Sequence, residues 1–469
     1  GADPMTQTLA PEDIKNNEVQ IQDAGPCRKR ISIRIPKERV NEKLKESLAA
    51  ISAEAQVPGF RKGHVPASLV EKRFGSHLRS EAKNQLVSTA YSAAIEKANL
   101  KIVGDPFSES LGNVEIKEGQ DLAFEIDVEV QPEFAMPSLD GIPVKKPTIE
   151  LPESAVSDEV QKILVNEGDL EARDKAEPGD YLTGHGIMKG ADGTEFYNIK
   201  GCVVQIPPTD KDGKGMILGV MVHDFSKQFG LPKAGETATI KTKGPENHEV
   251  EQVRGADLTI TFLVERVDRI IPAKVENVIK NFGMTEEQQL RDAIKQRMAQ
   301  RVMIQQQSVM RQQIAQHLLA NTKIDLPERI TAIQSARNFE RKRMELMYRG
   351  VDAQKIEEHI AELRSGSSEV AVRELKLFFI MNRAADEFNV RVEEAEMNGR
   401  IAQLAQERGV RPDKLRQEIM QRNQVGVIYQ QIRDHKAMDA ILAKAKITEM
   451  PAEEFNKLMA EEAKSGVPG

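Results

Sequence analysis

Helix-breaking residues are spread very unevenly along this chain, and that distribution constrains its fold more than any other feature. Beyond Ala273 lie only 4 of the 22 prolines and 8 of the 31 glycines, but 12 of the 17 methionines. An interior proline costs a helix about 3 kcal/mol and a glycine about 1 kcal/mol relative to alanine, so this sparse tail predicts long helices. Leu290, Ile294, Met298, Val302 and Val309 supply an intermittent apolar stripe, interrupted by a glutamine-rich run over 305–316. No fixed-period repeat stands out and heptads are not sustained, which disfavours a plain coiled coil. Residues 131–272 have the opposite character. Pro178-Gly179-Asp180 and Asp192-Gly193 read as turns, and Leu258, Ile260, Phe262 and Val264 alternate as a strand does.

The first part of the chain is mixed. Ile31, Ile33 and Ile35 alternate with polar residues, while Val40, Leu44, Leu48 and Ile51 follow one face of a helix. Val70, Phe74, Leu78, Ala82 and Leu86 continue at fourfold spacing after Pro66, which is suited to the first turn of a helix. Leu122, Phe124, Ile126, Val128 and Val130 alternate strictly, and Pro132, Pro137, Pro143 and Pro147 mark an extended linker. The reading is therefore a multidomain α+β chain. It comprises an N-terminal segment 1–26, an α+β domain 27–130, a linker 131–150, a β-rich domain 151–270 and a long-helix domain 271–469.

Composition narrows the function classes. The chain carries 73 acidic and 66 basic side chains, and this mildly negative balance argues against bulk coating of nucleic acid. Cys27 and Cys202 stand far apart without metal-ligand spacing, so neither a disulfide scaffold nor a zinc cluster is expected, although a single bridge stays open. Gly1–Pro4, ahead of Met5, read as an expression scar, and residues 5–26 lack the pattern of a secretory signal. Leu375–Met381 is the densest apolar run and is far shorter than the ~20 residues of a membrane span. A cytoplasmic protein without metal or cofactor is expected. No phosphate-binding loop, nucleophile elbow or zinc-protease motif is present, so any action should be independent of ATP. Only 4% of residues are aromatic and none is tryptophan, so each ring in a cleft counts.

One local motif stands out: Gly59-Phe60-Arg61-Lys62-Gly63-His64-Val65-Pro66. Two glycines bracket a ring and two cations at a helix–loop–helix junction. The cations suit phosphates or carboxylates, and the ring can stack on a base or plug an apolar gap. An ordinary turn whose ring folds back onto the helices fits the same residues. The motif resembles the signature loop of the trigger factor family of ribosome-associated chaperones, and the resemblance extends over nearly the whole chain. It covers Val130-Gln131-Pro132-Glu133, the glycine-rich middle and the ending Ala440-Ile441-Leu442-Ala443-Lys444-Ala445-Lys446-Ile447. It implies that Phe60, Arg61 and Lys62, held by Gly59 and Gly63, dock on the large ribosomal subunit, on protein and rRNA, near the nascent-chain exit. It further implies nascent and unfolded polypeptides as clients of the helical tail, no membrane partner, and a homodimer as a possible state off the ribosome.

The middle part resembles the FKBP-type prolyl isomerase domain of that family. Such catalysis needs no acid, base or metal, only a dry aromatic cleft favouring the twisted amide over the planar one. Phe196 and Phe262 match the family's pocket rings. Val220, in Met216-Ile217-Leu218-Gly219-Val220, stands where the family has its floor aromatic. The resemblance thus implies an isomerase whose activity is weak or lost, with Phe225 and Phe229 of an apparent insertion as candidate substitutes. Plain β-domain core is the other reading of these rings. In the tail, adaptable methionines such as Met298, Met303, Met310, Met344, Met347, Met381, Met397, Met420 and Met438 suit either core or a promiscuous surface. Phe378, Phe379 and Ile380 are expected in the core. The function expected is that of an ATP-independent chaperone that holds nascent polypeptides at the ribosome and assists their folding. Isomerisation as the main activity, or a ribosome-independent holdase, are its alternatives.

Overall fold

The structure is a computed structural model that describes residues 16–464, so Gly1–Pro4, read above as an expression scar, lie outside the described residues. Helix accounts for 51% and strand for 22%, which makes this a mixed multidomain chain. It divides into two compact units. One takes the chain as far as Pro143, with Gln313–Met344 and Ile356–Lys446; the other takes Val144–Gln312, Glu345–Lys355 and the chain from Ile447.

In the first unit β1 (Glu18–Gly25) and β2 (Arg28–Ile35) lead into α1 (Lys37–Glu54) and α2 (Ala67–Ala98), followed by β3 (Ile102–Phe107) and β4 (Leu122–Val130). The strands form an antiparallel sheet in the order β1-β2-β4-β3. Register sets Ile31 opposite Ile126, Ile33 opposite Phe124 and Ile35 opposite Leu122. The period of two therefore turns both apolar sets to the same face, and all six side chains are buried. Ala82, Leu86, Ala90 and Ala94 of α2 join the same core at four-residue intervals, one helix face. Asp127 is 7% exposed and is held by Arg28 and, at 2.9 Å, by Arg30. Burial alone would raise its pKa, but the hydrogen bonds and charges of Arg30 and Arg28 outweigh that and hold it below the ordinary aspartate value.

The second unit begins inside the proline-rich stretch with β5 (Pro143–Thr148), then α3 (Glu153–Asn166) and β6 (Asp169–Arg173). β7 (Tyr181–Gly190), β8 (Glu195–Gln205), β9 (Gly215–Ile217), β10 (Val220–Val222), α4 (Phe225–Phe229), β11 (Thr237–Lys243) and β12 (Asp257–Ile271) follow. β11, β12, β7 and β8 lie side by side, β6 pairs with β12, and β9 with β10 makes a separate hairpin. Asp180 is 2% exposed. It accepts the Arg269 guanidinium at 2.8 and 3.0 Å and the Glu177 N–H at 2.7 Å, which closes the turn foreseen at Pro178. Then come α5 (Val275–Asn281) and α6 (Glu287–Ala320); Ile279, Leu290 and Ile294 pack against Val156 and Val160 of α3.

Six helices continue the chain: α7 (Glu328–Tyr348), α8 (Ala353–Glu358), α9 (Ile360–Glu387), α10 (Glu394–Arg408), α11 (Pro412–Gln421) and α12 (Val425–Ala443). The sparse breakers sit largely at their boundaries. Pro327 directly precedes α7, Pro412 opens α11, and Gly409 ends α10 in the left-handed conformation, φ +66°. α10, α11 and α12 close around Ile401, Ala405, Leu415, Ile419 and Ile428. Finally β13 (Lys446–Pro451) pairs with β5 and leads into α13 (Ala452–Lys464).

Candidate functional site

The loop between α1 and α2 is pinned at both ends. Ala55, Val57 and Val65 are buried with Val70, and Leu48, Ile51, Leu69 and Phe74 pack around them. Between these anchors residues 58–64 are all exposed. Two tight turns shape the tip: the Phe60 N–H donates to the Val57 carbonyl at 3.1 Å, and the His64 N–H to the Arg61 carbonyl at 3.0 Å. Gly59 and Gly63 have φ of +93° and +82°. A Cβ at Gly59 would meet nothing within 4 Å, so glycine serves there for its backbone freedom rather than for space. Phe60 stays 45% exposed, beside exposed Arg61 and Lys62. Lys62 lies 3.3 Å from Glu54, a surface pair of small worth that does not tie the cation down. A half-exposed ring beside two cations, on a stalk with a buried base, can plug an apolar cleft while contacting anionic groups.

The helices carry a second set of exposed groups. Met310 and Met381 are buried, whereas Met303, Met344, Met347 and Met420 are exposed; Met298, Met397 and Met438 lie between. Phe379 and Ile380 are core, but Phe378 is 37% exposed. The expectation of three core residues fails at Phe378: the buried face of α9 takes Phe379, Ile380 and Met381, and Phe378, about 100° before Phe379 around the helix, falls at its edge. Between α7 and α9 runs a groove of about 770 Å³, lined by residues including Leu326, Ala332, Ala336, Phe339, Ser368 and Val372. Its small side chains keep the trough open, and Arg364 stands 5.2 Å over the Phe339 ring.

In the β-rich sheet Phe262 is fully buried on β12. Phe229 stands 5.9 Å from it, and Phe225 stacks on Phe229 at 4.7 Å between centroids. Phe196 is half-buried, its ring over Gly190, where a Cβ would come within 2.9 Å. Val220 is fully buried within the β9–β10 hairpin. The aromatic that enters this core is Phe225, five residues further on and first in α4; its ring fills the place of a side chain at Gly215. The Phe225–Phe229 spacing just before Pro232-Lys233-Ala234-Gly235-Glu236 was the signal for it. Both cysteines are free thiols. Among the described residues no cluster of three or more His, Cys, Asp or Glu is placed to hold a metal ion, and no helix is long and apolar enough to cross a membrane.

Two family models match the chain: "Bacterial trigger factor protein (TF)" over residues 17–163 and "Bacterial trigger factor protein (TF) C-terminus" over residues 269–443. The chain belongs to the trigger factor family of chaperones. The Gly59–Pro66 loop falls in the first matched segment, and α7–α12 in the second. Trigger factor from Rhodopirellula baltica is 26% identical over 435 residues, covering 91% of this chain and 88% of that protein. Trigger factor from Thermobifida fusca is 26% identical, covering 92% and 91%, and that from Colwellia psychrerythraea 26%, covering 95% and 100%. A solved structure reported under "Promiscuous Substrate Recognition in Folding and Assembly Activities of the Trigger Factor Chaperone" covers 91% of this chain and 99% of its own. Its identity is 17% and its TM-score 0.49.

Proposed function

We propose that this trigger factor homologue docks on the large ribosomal subunit beside the nascent-chain exit and holds emerging polypeptides without ATP in the cytoplasm. The observation that carries the reading is the exposed Phe60-Arg61-Lys62 tip on a buried base. A single exposed ring is ordinary on a protein surface; what supports docking is its place beside two cations on a loop pinned at both ends, and those cations match rRNA phosphates or acidic groups of a ribosomal protein. Gly59 and Gly63 hold the turns that present it.

Holding is assigned to the helices. Their exposed Met, Phe378 and the α7–α9 groove offer scattered, adaptable apolar contacts, which suit weak binding and release of unfolded chains. Residues 27–130 then serve docking, 131–150 the linker, 151–270 a β-rich domain and 271–469 holding. Off the ribosome the same surfaces can engage a second copy. Isomerisation is secondary in this reading, since Phe225, Phe229 and Phe262 are packed as core.

Co-sedimentation with ribosomes tests the docking. Changing Phe60, Arg61 and Lys62 together to alanine should move the protein from the ribosomal pellet to the supernatant. Undiminished pelleting would sink the assignment.

A further inference from the structure

Glu129 of β4 is 4% exposed, yet its partners lie far along the chain. Its carboxylate accepts the Arg329 N–H at 2.9 Å and the Ile330 N–H at 2.8 Å. Both N–H groups belong to the first turn of α7, where no intrahelical acceptor exists. A local cap is missing as well, because the residue ahead of the helix is Pro327, whose side chain cannot accept a hydrogen bond. The sheet therefore supplies the cap, and the anion faces the positive end of the helix dipole.

Three more contacts make this a built junction. Two guanidinium groups stand over the Phe107 ring of β3, Arg329 at 4.1 Å and Arg28 at 4.9 Å from its centroid. Gly104, φ +72°, lets Ile330 approach so closely that a Cβ would stand 3.1 Å from its side chain. The Cys27 thiol donates to the Asp325 carbonyl at 3.0 Å. Burial, with the nearby acids Asp325 and Glu129, pushes that thiol's pKa up, so it stays a protonated donor.

We infer that Glu129 is a positioning residue: by capping α7 from the docking sheet, it fixes the α7–α9 groove to the domain that carries the loop. A chain docked through Phe60 then presents its groove in one orientation instead of swinging about Pro327. The inference rests on the proposed docking and holding.

The test uses the full chain with Glu129→Gln, which keeps the shape but turns an amide donor toward one of the two N–H groups. Amide exchange at Arg329 and Ile330 should rise by roughly tenfold or more, as expected for loss of charge-assisted hydrogen bonds. Ribosome co-sedimentation, and suppression of aggregation of a denatured protein in free solution, should stay within about twofold of wild type. Photo-crosslinking from position 372 to a ribosome-bound nascent chain should fall at least about fivefold. Glu129→Asp, one methylene shorter, should be intermediate and keeps the test open should the glutamine variant fail to fold. The inference is overturned by unchanged exchange at the two amides, by wild-type crosslinking despite faster exchange, or by a parallel loss of holding in solution. The last would mark a merely structural cap. Failure of docking itself would show in the wild-type arm, which would neither pellet nor crosslink.

Discussion

Replacing Phe225 by alanine separates two roles for the rings of the β-rich sheet. As core, the side chain is lost outright: it is fully buried and stacks on Phe229. A buried aromatic removes about 150–250 Å² from water, which at about 25 cal/mol per Å² amounts to about 4–6 kcal/mol. Measured Phe→Ala costs in cores run about 3–5 kcal/mol. Phe229 and Phe262 are themselves buried on α4 and β12 and have little room to collapse into the gap, so about 4 kcal/mol is expected here. Hydrogen exchange of the β7 and β12 amides in the full chain reads this directly. A loss of about 4 kcal/mol raises their opening by several hundredfold, to the order of 10³. A proline-limited refolding assay runs alongside. The reasoning is refuted if exchange changes less than about fivefold while Phe225→Ala abolishes a clear wild-type acceleration of refolding. Phe225 would then be the wall of a working pocket.

Three further outcomes concern residues 27–130. If Arg61 and Lys62 meet rRNA phosphates, changing both to alanine should flatten the dependence of log binding on log salt by about 1.4–1.8 units; an unchanged slope in ribosome titrations would assign them to another partner. Asp127 has a depressed native pKa, so its contribution is present above the ordinary aspartate value near 4 and fades as pH falls through the native value below it. The difference in urea midpoint between wild type and Asp127→Asn should accordingly be constant from neutrality to about pH 5 and shrink below about 4; a difference that grows on acidification contradicts the pairing. At Gly63 an added Cβ would meet only the Ala53 carbonyl, at an ordinary 3.5 Å, so Gly63→Ala should cost only conformational strain, about 1–2 kcal/mol. It should weaken ribosome pelleting and leave the sheet's amide exchange unchanged; tight docking by this variant would show that the turn geometry is not required.

What could be read from the sequence depended on whether burial imposed a period. Ile31, Ile33 and Ile35, and the strand ending at Val130, declared themselves because one face meets the core. The helical tail declared itself through its missing breakers. β1 did not: only Val19 and Ile21 alternate with polar residues there, too short a run to stand out, and Glu18–Gly25 is exposed at almost every position. β5 lay hidden among prolines because a two-stranded ribbon tolerates them where a central strand would not. The Phe60-Arg61-Lys62 tip was legible as a contiguous motif, and its exposure followed from buried anchors on either side. Phe225 was harder, because the β9–β10 hairpin displaces it from the position where Val220 was read. Glu129 was beyond reach: nothing near it in the chain announces partners at Arg329 and Ile330, and only Pro327 hints that α7 needs a cap from elsewhere.

The central claim is that one chain docks by its loop and thereby brings its groove to a growing polypeptide. Photo-crosslinking from position 372 to an apolar nascent chain on ATP-depleted ribosomes tests both halves at once. The account predicts a strong crosslink from the otherwise unaltered chain and its loss when Phe60, Arg61 and Lys62 become alanine. A crosslink that survives the triple change, or one that requires ATP, would contradict it.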